Sequence, residues 1–178
     1  MSTTEQQVGI PGGTFHADVI HSSVSFEVAY TGVGAFSADV KSFEASLVDG
    51  ALSGSAEIAT LELKDTNFLG HLMSPEFFDA EEHPTVSFST TSAKSEGGQV
   101  VFEGEITIRG TSLPATLRGT ITGPITDPYG KTRYGLKLST TINRVAYGIT
   151  WNNDMPDGTK ALADEVTLKA DLALVEAS

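Results

Sequence analysis

The stretch Val100-Val-Phe-Glu-Gly-Glu-Ile-Thr-Ile-Arg109 decides the fold, because its apolar and polar side chains alternate with a period of two. This spacing places every second side chain on the same face of a β-strand, so one face is apolar and the other is solvent-exposed. The next stretch, Ala115-Thr-Leu-Arg-Gly-Thr-Ile121, alternates in the same way. Two such stretches in close succession predict a pair of antiparallel strands.

The same alternation recurs on both sides of this pair and predicts six further strands. They cover residues 23–30, 42–47, 53–60, 86–89, 134–142 and 166–174. Asp49-Gly50, Gly97-Gly98 and Asp157-Gly158 lie between alternating stretches, so hairpins are the expected connections. Several strands are long, reaching about 30 Å at roughly 3.3 Å per residue. Eight long antiparallel strands favour an all-β fold, an extended barrel that closes its own edges, and a two-sheet sandwich is the alternative.

One segment, residues 65–84, interrupts the alternation, and we refer to it as the insert. Its large apolar residues recur at the steps of three to five that indicate a helix: Phe68, Leu69, Leu72, Met73, Phe77 and Phe78. Asp65 or Thr66 is suited to cap the first turn, and Pro75 must limit or restart the helix. We therefore expect a short, broken helix over about residues 65–80. Two roles stay open: a plug that belongs to the core, or a gate over a cavity.

Composition excludes several classes of function. The 178 residues, 39% of them hydrophobic, suffice for one domain, and we expect it over residues 14–178. A net charge of -12 argues against nucleic acid as a partner, and the lack of an 18-residue apolar run argues against stable membrane insertion. Residues 1–13 contain neither lysine nor arginine and no apolar core, so we expect a flexible leader and a cytoplasmic location.

No motif for catalysis or metal binding stands out. Cysteine is absent, no Gly-x-Ser-x-Gly motif occurs, and the four histidines show no i, i+4 spacing. The sequence therefore predicts a non-enzymatic protein with no catalytic residue, metal or cofactor. An enzyme is the alternative, and its polar candidates would be His21, Asp65, His71 and Arg144. A structural role for Arg144, buried and paired with Asp18 or Asp65, is the competing interpretation.

The inward face of the predicted strands mixes large apolar residues with small ones. The small ones are Ala45, Gly104, Ala115, Gly119 and Ala170. An eight-stranded barrel is about the size at which side chains fill the interior or leave room for one slender ligand. Small inward residues open volume for a ligand. The alternative is a filled barrel that serves as an interaction module.

Four segments carry a family resemblance: residues 15–26, 64–88, 106–111 and 142–149. In order, they are similar to W-x-I-D-x-x-H-S-x-V-x-F, to R-D-x-H-L-x-S-x-D-F-F-D-x-x-x-Y-P-x-x-x-F with extra residues after the Asp, to L-T-I-R-G-V-T and to I-x-R-x-D-F-G-I. Phe15, Lys64 and Ala146 stand where these patterns have tryptophan, arginine and an acid. Together the segments resemble the YceI-like family, the lipocalin-like polyisoprenoid-binding proteins of bacteria.

The resemblance implies a lipocalin-like barrel whose elongated cavity binds, stores or transports a long-chain isoprenoid, such as an isoprenoid quinone, or a fatty-acid-like lipid. It also implies a homodimer. The expected ligand-binding residues are Phe26, Val28, Phe36, Leu72, Phe77, Phe78, Phe88, Phe102, Ile106, Leu138, Ile142, Tyr147 and Trp151. Burial of about 500 Å² of hydrocarbon would contribute on the order of 12 kcal/mol before the cost of ordering the chain.

Overall fold

The computed structural model describes residues 9–177, which form eleven β-strands, one α-helix and three short 3₁₀ helices. The strands are β1 (Thr14–Ala17), β2 (Ser23–Tyr30), β3 (Gly34–Val40), β4 (Phe43–Val48), β5 (Ala51–Glu57), β6 (Leu61–Glu62), β7 (Thr85–Glu96), β8 (Gln99–Ile108), β9 (Thr111–Thr126), β10 (Thr132–Asn143) and β11 (Leu162–Glu176). The α-helix, α1, is Thr66–Met73, and the 3₁₀ helices are Val19–His21, Ile58–Thr60 and Arg144–Tyr147.

Eight of the strands close into an antiparallel barrel. Their order around the ring is β1-β4-β5-β7-β8-β9-β10-β11, and β11 pairs again with β1. The closing ladder aligns Phe15 with Glu176 and Ala17 with Leu174. The predicted eight-stranded barrel is therefore confirmed, and the sandwich alternative is wrong because β11 pairs with β1 and closes the eight strands into one ring.

Three strands extend the wall beyond this ring at one end, which we call the mouth. The 3₁₀ turn Val19–His21 separates β2 from β1, and β2 continues along β11. There β2 pairs with β3, and β3 pairs with the two-residue strand β6. The stretches that form β1, β3 and β6 are too short or too rich in glycine and alanine to show a clear alternation, so the sequence did not predict them.

The insert packs across the mouth. Asp65 accepts hydrogen bonds from the backbone amides of Asn67 and Phe68, each at 3.1 Å, and so caps the first turn of α1. The helix ends at Met73, just before Ser74 and Pro75, and turns continue to residue 82. The expected helix was too long at its carboxyl end because a proline cannot continue a helical hydrogen-bond ladder.

The opposite end of the barrel, which we call the base, is closed by side chains. Its fully buried residues are Leu47, Val100, Phe102, Leu136 and Leu174. They come from four strands of the ring, β4, β8, β10 and β11, and pack together in the interior. Phe15 packs edge-on against Tyr134 beside them, with ring centroids 5.3 Å apart. This end of the barrel is a packed core.

Two inward glycines bring neighbouring strands into close contact. A Cβ at Gly119 would lie 1.7 Å from the carbonyl oxygen of Lys137, and one at Gly104 would lie 1.9 Å from that of Ser89. Both distances are far inside van der Waals contact. The expectation that these two residues open volume inside the barrel is therefore wrong, since they allow sharp bending of the wall instead.

The predicted leader falls partly outside the described residues, which begin at residue 9. Within the described part, the amide of Gly13 donates to the Asp49 side chain at 2.9 Å, and the Ile10 side chain packs against the core. None of the described helices is both long and apolar enough to cross a membrane.

Candidate functional site

Two apolar cavities lie end to end inside the barrel. Each has a volume of about 130 Å³. We call the one next to the insert the upper chamber and the one next to the base the lower chamber. Their linings share four residues, which we call the waist: Val24, Ala56, Val86 and Leu168. The two chambers are therefore adjacent inside the barrel, with the waist at their boundary, and we refer to them together as the tube.

The upper chamber lies between the extended strands and the insert. Phe26, Val28 and Phe36 line its wall on β2 and β3, and Ile142 and Val166 continue this wall on β10 and β11. Its ceiling consists of residues from the insert: Phe68, Leu72, Phe77 and Phe78. An apolar ligand in this chamber would therefore touch the insert directly.

Aromatic rings hold the insert in place. Phe68 stacks on Phe36 of β3 with centroids 4.4 Å apart, and Phe78 contacts Phe26 of β2 at 6.0 Å. Phe77 contacts Trp151 at 5.4 Å. Such pairs contribute roughly 0.5–1.5 kcal/mol each beyond the burial of their area. The insert is thus attached to two walls of the mouth by side chains, with few backbone bonds.

Arg109 provides a polar attachment for the insert. It occupies the turn between β8 and β9 with a positive φ of 54°, and its guanidinium donates to the carbonyl of Phe77 at 3.1 Å and to that of Gly148 at 3.4 Å. The first bond ties the insert to the β8–β9 turn. The sequence placed Arg109 in a motif but assigned it no role.

The lower chamber is lined by the middle of the ring. Phe43 and Leu52 face Leu138 and Leu172 across it, and Phe88 and Ile106 complete the apolar wall. Ala45 and Ala170 also line it, as expected for small inward residues that leave space. A fully packed barrel would lack both chambers.

Ten of the thirteen predicted binding residues line a chamber. Phe26, Val28, Phe36, Leu72, Phe77, Phe78 and Ile142 line the upper one, and Phe88, Ile106 and Leu138 line the lower one. The other three lie elsewhere: Phe102 in the base, Tyr147 with its hydroxyl 3.3 Å from the carbonyl of Ile106, and Trp151 against His71 and Phe77.

The waist is the main feature that sequence reasoning missed. Val24, Val86 and Leu168 share the inward parity of the predicted residues, so their orientation was readable from the alternation. Their position between the two chambers could not be read from the sequence, because it depends on which residues of four strands lie at the same level in the barrel. Ala56 pairs with Val86 on the neighbouring strands β5 and β7, and Val24 and Leu168 lie on the neighbouring strands β2 and β11, so the waist combines residues of two strand pairs.

Arg144 has a structural environment. It is 4% exposed and donates to the carbonyls of Ala163 at 2.8 Å, Ile149 at 2.9 Å and Trp151 at 2.9 Å, with a longer contact to that of Leu162. Burial lowers the pKa of its guanidinium. The expected partners Asp18 and Asp65 are wrong, because backbone carbonyls occupy the guanidinium, which therefore organises the loop after β10.

The other polar candidates for catalysis lie apart from one another. His21 contacts Asp18 at 2.8 Å, and Asp18 also accepts from Arg133 at 2.9 Å. These bonds lower the pKa of Asp18 to about 2. His71 contacts Glu76 at 2.9 Å on the outer side of the insert. Among residues 9–177, no group of three or more histidines and acids is placed to hold a metal ion.

Comparisons with known proteins place this chain in a family. The family model for the YceI-like domain matches residues 15–174. The YceI protein of Salmonella arizonae is 28% identical over 137 residues, which cover 73% of this chain and 72% of that protein.

Two solved structures have the same fold. BcnA of Burkholderia cenocepacia superposes with a TM-score of 0.70 at 19% identity, covering 90% of this chain and 99% of that one. A polyisoprenoid-binding domain of Saccharophagus degradans superposes with a TM-score of 0.67 at 7% identity, covering 92% and 98%. The barrel fold of this chain agrees with both solved structures, and the family model matches nearly the whole chain. This protein therefore belongs to the YceI-like domain family.

Proposed function

We propose that this protein is a non-enzymatic binder of a long apolar chain, an isoprenoid or a similar amphiphilic lipid, which it stores or carries inside the barrel. The observation that carries the proposal is the axial tube formed by the two chambers. Its walls are almost entirely apolar, and empty apolar cavities of this kind take up hydrocarbon rather than water. The fold shared with a polyisoprenoid-binding domain supports the same class of ligand.

The size of the tube limits how much of a ligand it holds in its present form. A cavity of about 150 Å³ accommodates benzene, so each chamber of about 130 Å³ has room for roughly one five-carbon isoprene unit. Two chambers would bury about ten carbons and contribute roughly 8 kcal/mol at about 0.8 kcal/mol per methylene. A longer chain requires the insert to move or part of the ligand to lie outside the tube.

The insert is suited to that movement. Phe77 is 3% exposed, yet the insert is held by apolar packing, ring contacts, the bond from Arg109 to the Phe77 carbonyl and a backbone bond from the Ile58 amide to the Pro84 carbonyl at 2.9 Å. These contacts can break without disturbing the barrel ladders. Segments held by few backbone bonds open at low cost compared with the core. We propose that the insert is a movable cover of the mouth, and the alternative is a fixed plug.

Native mass spectrometry of protein purified from a bacterial host tests the binding function. We expect a fraction of the protein to carry an extra mass that an organic extract identifies as a neutral or amphiphilic lipid. The same spectrum reports whether the protein forms the homodimer expected from the family. A homogeneous mass without lipid, together with no binding of added geranylgeraniol, would contradict the proposal.

The double variant Phe77→Ala with Phe78→Ala tests the cover. We expect release of a bound fluorescent probe, N-phenyl-1-naphthylamine, to become at least tenfold faster in stopped-flow measurements, because the ceiling of the upper chamber is lost. Val33→Ala with Val19→Ala removes apolar side chains that are 93% and 51% exposed, and it is the matched control. Equal release rates in all three proteins would support the fixed plug.

A further inference from the structure

The wall of the barrel has a gap between β9 and β10. Their ladder ends at the pair of Ser139 with Arg118, although β9 reaches back to Thr111 and β10 continues to Asn143. β9 remains paired with β8 along this stretch, and β10 remains paired with β11. The two strands therefore diverge, and within residues 9–177 no strand pairs with the edges that face each other, which present backbone amides and carbonyls.

The gap forms a cleft of about 730 Å³, which we call the side cleft. Side chains that point inward are partly exposed here: Leu113, Ala115 and Ile142. On the paired part of the same strands, the inward Ile121, Leu136 and Leu138 are at most 3% exposed. Inward side chains are thus partly exposed to solvent from the side at this height, where Tyr147, which is 4% exposed, also lines the cleft.

The side cleft borders both chambers. Thr140 lines the side cleft and the lower chamber, and Ile142 lines the side cleft and the upper chamber. Gly104 forms part of the cleft wall, and a Cβ there would lie 3.0 Å from the ring of Phe88 in the lower chamber. The cleft therefore shares one lining residue with each chamber and lies against both of them.

The polar groups of the side cleft suit an uncharged ligand. Within the described part of the chain, its lining contains no lysine, arginine or histidine. Its hydrogen-bonding side chains include Thr116, Thr140, Thr141 and Asn143, and Glu103 adds a negative charge. Glu103 and the net charge of -12 would repel a phosphate, whereas hydroxyls, an amide and open strand edges can bond to an alcohol or a quinone carbonyl.

We propose that the side cleft binds the uncharged, hydrogen-bonding headgroup of the amphiphile and is the route by which the chain enters the chambers. This inference rests on the proposed lipid-binding function. The headgroup stays at the solvent-exposed edges of β9 and β10, and the chain passes between Leu113 and Ile142 into the tube. The cleft thereby selects neutral lipids over phosphorylated ones with the same chain.

The first test blocks the route after the protein has folded. The chain lacks cysteine, so Thr141→Cys introduces a single thiol at the exposed edge of the cleft, and Ser37→Cys introduces one on the exposed face of β3, away from the cleft. Each protein is loaded with N-phenyl-1-naphthylamine and then coupled to a bulky maleimide. We expect coupling at residue 141 to slow probe release at least tenfold and coupling at residue 37 to leave it unchanged. Equal release from both coupled proteins would overturn the entry route.

The second test measures charge selection with geranylgeraniol and geranylgeranyl phosphate, which share one chain. We expect the unmodified protein to bind the alcohol at least tenfold more tightly. Thr141→Lys should reduce the ratio of the two affinities. Ser37→Lys on β3, three strands from β10 and so roughly 14 Å away at about 4.8 Å per strand, lies beyond the Debye length of about 8 Å and should leave the ratio unchanged. Equal binding of both lipids would overturn the headgroup site alone. Binding of neither lipid would instead contradict the proposed function and the site with it.

Discussion

The waist gives the sharpest prediction, and Ala56→Phe is the perturbation. Ala56 lies on the inward face of β5, opposite Val86 of β7, and it lines both chambers. A phenyl ring is the size of the benzene that a cavity of about 150 Å³ accommodates. The new side chain would therefore fill about one chamber and divide the tube, with little change in the surrounding wall.

The expected loss of affinity follows from the hydrocarbon that can no longer enter. One chamber holds about five carbons, which is roughly 4 kcal/mol at about 0.8 kcal/mol per buried methylene. Ordering of the chain offsets part of this, so about 2–3 kcal/mol remains, which is roughly a 30- to 150-fold weaker Kd. The variant should stay folded with its free energy of unfolding within about 2 kcal/mol of the parent, since the ring occupies empty space.

The assay compares two alcohols that differ only in chain length. Prenol, with five carbons, and geranylgeraniol, with twenty, displace N-phenyl-1-naphthylamine in a fluorescence titration. We expect Ala56→Phe to weaken the longer alcohol by the factor above and the shorter one by about threefold or less, because one chamber still admits a short chain. Ala29→Phe, which adds the same ring on the exposed outer face of β2, is the control.

Two results would refute the reasoning. If the folded variant bound geranylgeraniol as tightly as the parent, the chain would not pass the waist, and the two chambers would not form one site. If both alcohols lost affinity equally, the ring would act by distorting the barrel and not by dividing the tube.

Three further predictions concern stability, measured by urea denaturation. Arg144→Lys should cost about 3 kcal/mol, because one ammonium cannot reach the carbonyls that the planar guanidinium bonds, and an unchanged midpoint would contradict this role. Asp18→Asn should cost about 1–2 kcal/mol at pH 7, discounted for solvent screening. Because the pKa of Asp18 is lowered from 3.8 to about 2, its contribution is complete above pH 4 and is lost as the pH falls through about 2, so variant and parent should converge there. Gly119→Ala should lower the free energy of unfolding by at least about 3 kcal/mol, because the new Cβ would clash with the backbone of β10. Gly70→Ala on α1, where the space around the residue is open, should raise it by up to about 1 kcal/mol. Equal effects of the two substitutions would refute the close approach of the strands at Gly119.

Much of the barrel could be predicted from local pattern alone. Every strand with a clear alternation is present, and the turn at Asp49-Gly50 has the positive φ angles that its residues favour, 48° and 87°. Asp65 caps the helix as its position suggested. These features depend on interactions between residues that are neighbours in sequence, so they can be predicted from segments of about ten residues.

The polar partners could not be predicted in this way. Arg144 was assigned an acidic partner from its charge, yet it bonds to carbonyls of residues 149–163, which approach it only after the loop has folded. Arg109 bonds to Phe77, 32 residues away along the chain. Long side chains reach whatever the tertiary structure brings near, and sequence spacing carries no information about that.

The sequence by itself determined the strand pattern, the inward parity of the lining residues, the helical insert and the family. Each of these features follows from the types of side chain at fixed spacings along the chain. Only the tertiary structure decided how the interior is divided. The waist at Ala56, the base around Phe102 and the side cleft beyond Ser139 all depend on register between strands. Alternation says which face a residue occupies, whereas register sets which residues share a level, and therefore where the barrel is filled, constricted or open.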